Sequence, residues 1–229
     1  MRLDKYLSNS KIGSRSEVKI LIKKGKIKIN DSVIKSPSYK VNKNDIVKYE
    51  NEKIMAYDNI YIMLNKPKGY LSANKDSNIP VVLDLIDHPF KVDLSIAGRL
   101  DVDVNGLLIL SNDGNYIHKI ISPKKEVYKT YIIKTKEEIE DEKLKMLMEP
   151  MDLGDFITKK SIAKKLDSNT IELKITEGKY HQVKRMIKKI DLTLTDLKRT
   201  QIGSLKLTIE EGAYKEMSKE EALLAIRGE

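Results

Sequence analysis

The chain of 229 residues contains no cysteine. That excludes disulfides, thiolate metal sites and cysteine nucleophiles together, and it fits a cytosolic protein. Histidine is scarce: His88, His118 and His181 lie far apart, without the close spacing of a zinc site. No apolar run approaches the roughly 20 residues that span a bilayer. Met1-Arg2-Leu3-Asp4-Lys5-Tyr6 lacks the apolar stretch of a signal peptide. Neither a Walker loop nor a GxGxxG turn occurs, so no nucleotide or dinucleotide cofactor is indicated. Arginine is also rare, with 6 against 37 lysines. Where lysine is the default cation, each arginine marks a place that can use a planar, bidentate fork.

What is present is charge at one end. The hydrophobic fraction of 40% permits a globular core. Residues 1–57 hold 14 Lys and Arg against 6 Asp and Glu, so they carry almost all of the net charge of +9. A small basic unit joined to a nearly neutral larger one points to a polyanion-binding module attached to something with a different task.

In that basic unit Leu3, Tyr6 and Leu7 recur at helical spacing. Ser14 and Glu17 form a capping-box pair ahead of a second helix, whose apolar stripe is Val18, Leu21 and Ile22. Lys26-Ile27-Lys28-Ile29 alternates as a strand and Asn30-Asp31 reads as a turn. Val33-Ile34 and Ile46–Tyr49 supply further strands, and Asn51-Glu52-Lys53 up to Asp58 reads as a polar connector.

The larger part, residues 58–229, mixes strand and helix patterns without βαβ periodicity. Ile60–Leu64, Leu107–Leu110, Tyr131–Ile133, Thr170–Ile175 and Leu205–Ile209 read as strands, and Glu137–Met148 and Val183–Ile190 as helices. The expected class is α+β, a small α/β domain followed by one with a mixed, largely antiparallel sheet. Ala97-Gly98-Arg99-Leu100-Asp101 places a charged pair in a turn shortly before a buried strand, where a carboxylate can face a substrate and still be held.

Residues 1–57 resemble the S4 RNA-binding domain in Arg2-Leu3-Asp4-Lys5, Ser14-Arg15-Ser16, the helix–glycine–strand step from Leu21 to Ile29, and Asn30-Asp31. The resemblance implies that Arg2, Arg15, Lys19, Lys23, Lys24 and Lys26 contact structured RNA. Basic side chains on one helical face bind phosphates with salt-dependent affinity. Five further segments occur in order: Asn65-Lys66-Pro67-Lys68-Gly69, the stretch from Gly98 to Gly114, Tyr128-Lys129-Thr130-Tyr131, the run from Glu177 to Met186, and Leu197–Gly203. Together they are similar to the ribosomal RNA pseudouridine synthases of the small-subunit (RsuA) type and their large-subunit relatives.

That resemblance implies an isomerase without a cofactor, in which uracil leaves ribose, turns and rejoins through carbon. It makes Asp101 the catalytic carboxylate. Attack at the anomeric carbon, attack at the uracil ring and action on a glycal-type intermediate all remain open. A nearby cation keeps such a carboxylate ionised. The family's basic position falls on Lys184, with Arg185 next to it as the competing candidate. Tyr131 corresponds to the active-site tyrosine and Arg99 to an arginine that holds the extruded nucleotide. His181 and Gln182 read as scaffold. Val104, Ile187 and Lys215 depart from the residues usual at their positions.

The expected partner is ribosomal RNA or an assembly intermediate, met in the cytoplasm by a monomer with no membrane association. Ala97 before the Gly-Arg-Leu-Asp turn, the start at Arg2 without a leader and the lack of a long basic C-terminal tail favour 16S over 23S rRNA. A non-catalytic S4 RNA-binding protein is the competing class, and a pure binder has no need for Asp101, Tyr131 and Lys184 together. An S4-bearing methyltransferase would need a glycine-rich cofactor loop, which is missing.

Overall fold

A computed structural model describes residues 1–10, 12–42, 44–55 and 59–227. The chain divides into two compact units, Met1–Asn59 and Ile60–Glu229. The boundary expected at 57/58 lies outside the described residues.

The first unit contains α1 (Leu3–Asn9) and α2 (Arg15–Lys23), followed by β1 (Ile27–Ile29), β2 (Ser32–Val33), β3 (Val47–Tyr49) and β4 (Glu52–Ile54). The capping box forms as its sequence predicts: Ser14 N–H donates to Glu17 Oε2 at 2.7 Å and Glu17 N–H to Ser14 Oγ at 3.4 Å. Leu3, Leu7, Val18, Ile22 and Ile27 are fully buried together. The four strands form an antiparallel sheet in the order β2-β1-β3-β4. Of the polar stretch read as a connector, Glu52–Ile54 corrects to a strand, and residues 56–58 lie outside the described residues. Glu50 and Asn51 both adopt positive φ, at 52° and 70°, as a two-residue hairpin turn requires, and Glu52–Ile54 pairs back onto β3. An edge strand exposed on one side shows little apolar signal, which hides it in the sequence.

The second unit is built on a mixed sheet of β5 (Tyr61–Lys66), β6 (Ser95–Ile96), β7 (Asn105–Ser111), β8 (Lys129–Thr135), β9 (Ile162–Asp167), β10 (Thr170–Ile175), β11 (Leu194–Ile202), β12 (Leu205–Lys206) and β13 (Tyr214–Glu216). Its main order is β13-β5-β7-β11-β8-β10-β9, with β6 on β7 and β12 on β11. Among the described strands only β7 and β11 pair in parallel. The helices are α3 (Gly114–Ile121), α4 (Asp141–Met148), α5 (Gln182–Lys189) and α6 (Lys219–Leu223). The class is α+β.

Both faces of the central strands are covered. Ile62, Leu64, Leu108 and Leu110 enter one apolar cluster, while Tyr61, Met63, Leu107 and Ile109 enter the other. Double burial explains why β5 and β7 read as continuous apolar runs rather than alternating ones. Two sequence expectations are shortened. The helix expected from Glu137 begins at Asp141: the Glu137 carbonyl accepts from Thr135 Oγ1–H and Asn169 Nδ2–H, each at 2.8 Å, in place of an i+4 amide. The strand expected over Leu205–Ile209 ends at Lys206; Leu207 N–H still donates to Thr200 O, the last bond of its pairing with β11, whose register is irregular at Thr200. Among the described residues no helix is long and apolar enough to cross a membrane.

Candidate active site

One row of residues crosses four strands. Lys66 on β5 pairs with Gly106 on β7, Gly106 with Arg199 on β11, and Arg199 with Tyr131 on β8. Gly106 has φ 112°, and a Cβ there would lie 2.2 Å from the Arg199 carbonyl oxygen. Only glycine lets the two parallel strands approach this closely. The buried Arg199 side chain then reaches back, its Nε donating to Leu107 O at 2.8 Å and Nη2 to Gly98 O at 3.0 Å.

The loop that carries Asp101 is gripped from several directions. Ser72 Oγ donates to Leu100 O at 2.7 Å and accepts from Leu100 N–H at 3.1 Å. Gly69 N–H donates to Val102 O at 2.8 Å. The Lys66 ammonium, wholly buried, donates to Val102 O at 3.3 Å and Val104 O at 2.8 Å. Burial lowers its pKa from 10.5 to about 8, with partial compensation from Asp103 and Asp101. Fixed backbone on both sides of Asp101 is the pre-organisation a reacting carboxylate needs.

Asp101 faces a cavity of about 460 Å³ lined also by Arg99, Lys129, Tyr131, Lys184 and Arg199. Lys184 Nζ lies 3.0 Å from Asp101 Oδ2 and 2.6 Å from Asp103 Oδ1. Burial opposes the lysine's charge, but bonds to Asp103 and Asp101 outweigh it and raise its pKa. The Lys184 bond holds the Asp103 carboxyl below the usual carboxylate range. Between the two adjacent basic residues the geometry is unambiguous. Lys184 turns to Asp101, whereas Arg185 binds the Asp155 carboxylate and Leu153 O and lies over the Phe156 ring at 5.2 Å. Successive helix residues diverge by about 100°, so they serve different partners.

Tyr131 is buried and Arg99 exposed, both on the cavity wall. Gln182 fills the scaffold role expected of it: its Nε2 donates to Glu177 Oε2 at 2.9 Å and its Oε1 accepts from Lys179 N–H at 3.1 Å. His181 is nearer the chemistry than a scaffold reading implies, with Nε2 3.6 Å from Asp101 Oδ2. Lys129, beneath the cavity, donates to Val127 O and Thr176 O; burial and the nearby Arg199 lower its pKa from 10.5 to about 8. The sequence reading assigns no role to Lys66, Ser72, Lys129 or Arg199. The scarcity of arginine signals Arg199 and the Asn65-Lys66-Pro67 motif signals Lys66, but what each holds depends on strand register. A carboxylate held by an ammonium in a cavity that an aromatic ring also lines can act as nucleophile or base on a planar substrate.

In the first unit Arg15, Lys19, Lys23, Lys24 and Lys26 are exposed. Arg2 grips Asp4 with two bonds of 3.0 and 2.8 Å, which lower the Asp4 pKa, with Arg15 contributing. Among the described residues no group of three or more His, Asp or Glu is placed to hold a metal.

A family model for RNA pseudouridylate synthases matches residues 60–189, and one for the S4 domain matches residues 1–47. The chain is 41% identical to an uncharacterized RNA pseudouridine synthase of Aquifex aeolicus, covering 96% of this chain and 94% of that protein. It is 35% identical to the ribosomal small subunit pseudouridine synthase A of Haemophilus influenzae, covering 96% and 97% respectively. A crystal structure of a pseudouridylate synthase superimposes with a TM-score of 0.70 at 33% identity, covering 98% of this chain and 99% of that one. A basic S4 unit, a carboxylate–ammonium cavity and end-to-end likeness agree: the chain belongs to the RNA pseudouridine synthase family and is an RNA-isomerising enzyme.

Proposed function

We propose that this enzyme converts one specific uridine of 16S ribosomal RNA to pseudouridine, with Asp101 as the catalytic carboxylate and no cofactor. The observation that carries the reading is the Asp101–Lys184 pair at 3.0 Å on the wall of a cavity that Tyr131 also lines. The 16S target rests on relatives named for the small ribosomal subunit that match 96% of the chain.

The reaction breaks the bond from uracil N1 to the ribose, turns the base, forms a carbon–carbon bond between uracil C5 and the ribose, and releases the C5 proton while N1 takes one up. Atoms balance without an added reductant or group donor. Asp101 acts as nucleophile or base, and the Lys184 ammonium 3.0 Å away balances the charge of its carboxylate. Tyr131 stacks on the target base, and its hydroxyl can take part in proton transfer. Arg99 holds the target out of its helix. Residues 1–57 anchor the enzyme on RNA through Arg2, Arg15, Lys19, Lys23, Lys24 and Lys26, and residues 58–229 carry the chemistry. The site of action is the cytoplasm, on ribosomal RNA or an assembly intermediate, with the enzyme as a monomer.

Mapping pseudouridines in rRNA from cells with and without the protein tests the substrate. One site lost from 16S rRNA is the expected result; a site lost only from 23S rRNA moves the target. Asp101→Asn is expected to abolish pseudouridine formation while leaving RNA affinity within a few-fold. Appreciable residual activity would overturn the assignment of Asp101.

A further inference from the structure

One exposed aromatic near the site is left without a task. Tyr180 is 75% exposed. An exposed tyrosine ordinarily swings freely, but this ring lies flat on the His181 imidazole, with centroids 3.8 Å apart and planes 18° apart. Its backbone is also pinned. Arg185 Nη1 donates to Tyr180 O at 3.4 Å, and Arg185 is itself anchored on Asp155. On either side Lys179 N–H is held by Gln182, and His181 takes the left-handed conformation at φ 49°. With one face of the ring covered by His181, the exposed area lies on the opposite face and the edges. His181 in turn sits 3.6 Å from Asp101. The chain thus places a rigid, flat, open aromatic surface one ring beyond the reacting carboxylate, beside the exposed Lys179.

We propose that Tyr180 is the platform on which a base adjoining the target uridine stacks when the target leaves the helix. This rests on the reading that the Asp101 cavity receives an extruded uridine. Extrusion strips a neighbouring base of its stacking partner, and the unstacking costs free energy. A fixed aromatic face replaces that partner. Stacking of this kind accepts any base, because every base has a π-face, so Tyr180 adds affinity without choosing sequence. Lys179 meets the phosphate beside the stacked base.

The test uses the full chain and a small-subunit rRNA transcript carrying tritium at uridine C5. Binding is measured over a salt series, and KM and kcat come from tritium release. Tyr180→Ala is expected to raise Kd and KM by about ten-fold, the size of one lost base–aromatic stack. The factor stays the same at every salt concentration, because no charge is removed and the salt slope is untouched. Tyr180→Phe restores binding to within about two-fold, because the face and not the hydroxyl is used, and kcat at saturation barely changes in either variant. Wild-type affinity in Tyr180→Ala overturns the proposal, as does a Tyr180→Phe variant as weak as Tyr180→Ala. If Tyr180→Ala loses thermal stability, Tyr180→Trp decides: it enlarges the face, and binding weaker than wild type overturns the platform. Absence of tritium release by the wild-type enzyme, both from the transcript and from a small-subunit assembly intermediate carrying it, refutes the 16S reading; tritium release with wild-type affinity in Tyr180→Ala refutes the platform alone.

Discussion

Gly106 and Arg199 lie so close across parallel strands that a Cβ on the glycine would sit 2.2 Å from the Arg199 carbonyl oxygen. One wall of the candidate active site hangs on that approach, because the same register puts Tyr131 opposite Arg199 and Lys66 opposite Gly106. Gly106→Ala combines a backbone clash with a φ of 112° that alanine rarely adopts. It is expected to cost at least about 3 kcal/mol, among the largest single-residue effects. A wild-type urea midpoint for this variant would show that the register is different.

That row was only half legible in the sequence. β5, β7 and β10 announce themselves as apolar or alternating runs, and the Gly-Arg-Leu-Asp turn marks where a carboxylate emerges. β11 carries Asp196, Lys198, Arg199 and Gln201 in its nine residues and has no such pattern, yet it lies at the centre of the sheet. Its buried arginine is satisfied by carbonyls of Leu107 and Gly98, about a hundred residues away in sequence. Partners of that kind are set by long-range pairing, and no local periodicity encodes them. The choice between Lys184 and Arg185 is of the same sort. It turns on where Asp155 lies, which the sequence around α5 does not reveal.

The division of labour on α5 gives the second prediction. Lys184→Met removes the cation on Asp101 and is expected to cut kcat by about 100-fold or more, the scale of losing one pre-organised charge in an active site. Arg185→Met should leave kcat within a few-fold and act on KM, because Arg185 holds Leu153, Asp155 and the Tyr180 carbonyl and does not reach Asp101. Single-turnover rates separate the two. Equal losses in kcat would mean that the pair is not divided as the geometry has it.

The exposed cations of α2 give the third. Lys19→Gln with Lys23→Gln removes two charges from one helix face without touching the buried Val18 and Ile22. The slope of log affinity against log salt is expected to flatten by about one to two, since each lost phosphate contact releases fewer counterions. kcat at saturating RNA should not move. An unchanged slope would show that RNA does not lie along this face.

Lys66 gives the fourth, through pH. Burial lowers its pKa from 10.5 to about 8, so between those values the unfolded chain holds a proton that the folded chain has lost. Stability therefore rises with pH in that window, and the cost of burying the charge is fully present below it. At most, one such group contributes a slope of about 1.4 kcal/mol per pH unit. Lys66→Met deletes the titration together with the grip on Val102 and Val104. The difference in urea-unfolding free energy between wild type and variant should be flat near neutral pH, and should shift in favour of wild type as pH climbs from about 8 towards 10. The variant should also lose kcat with little change in RNA affinity, because the loop that aims Asp101 is loosened while the S4 unit is intact. Parallel stability curves across the whole range would show that the buried ammonium does not titrate there.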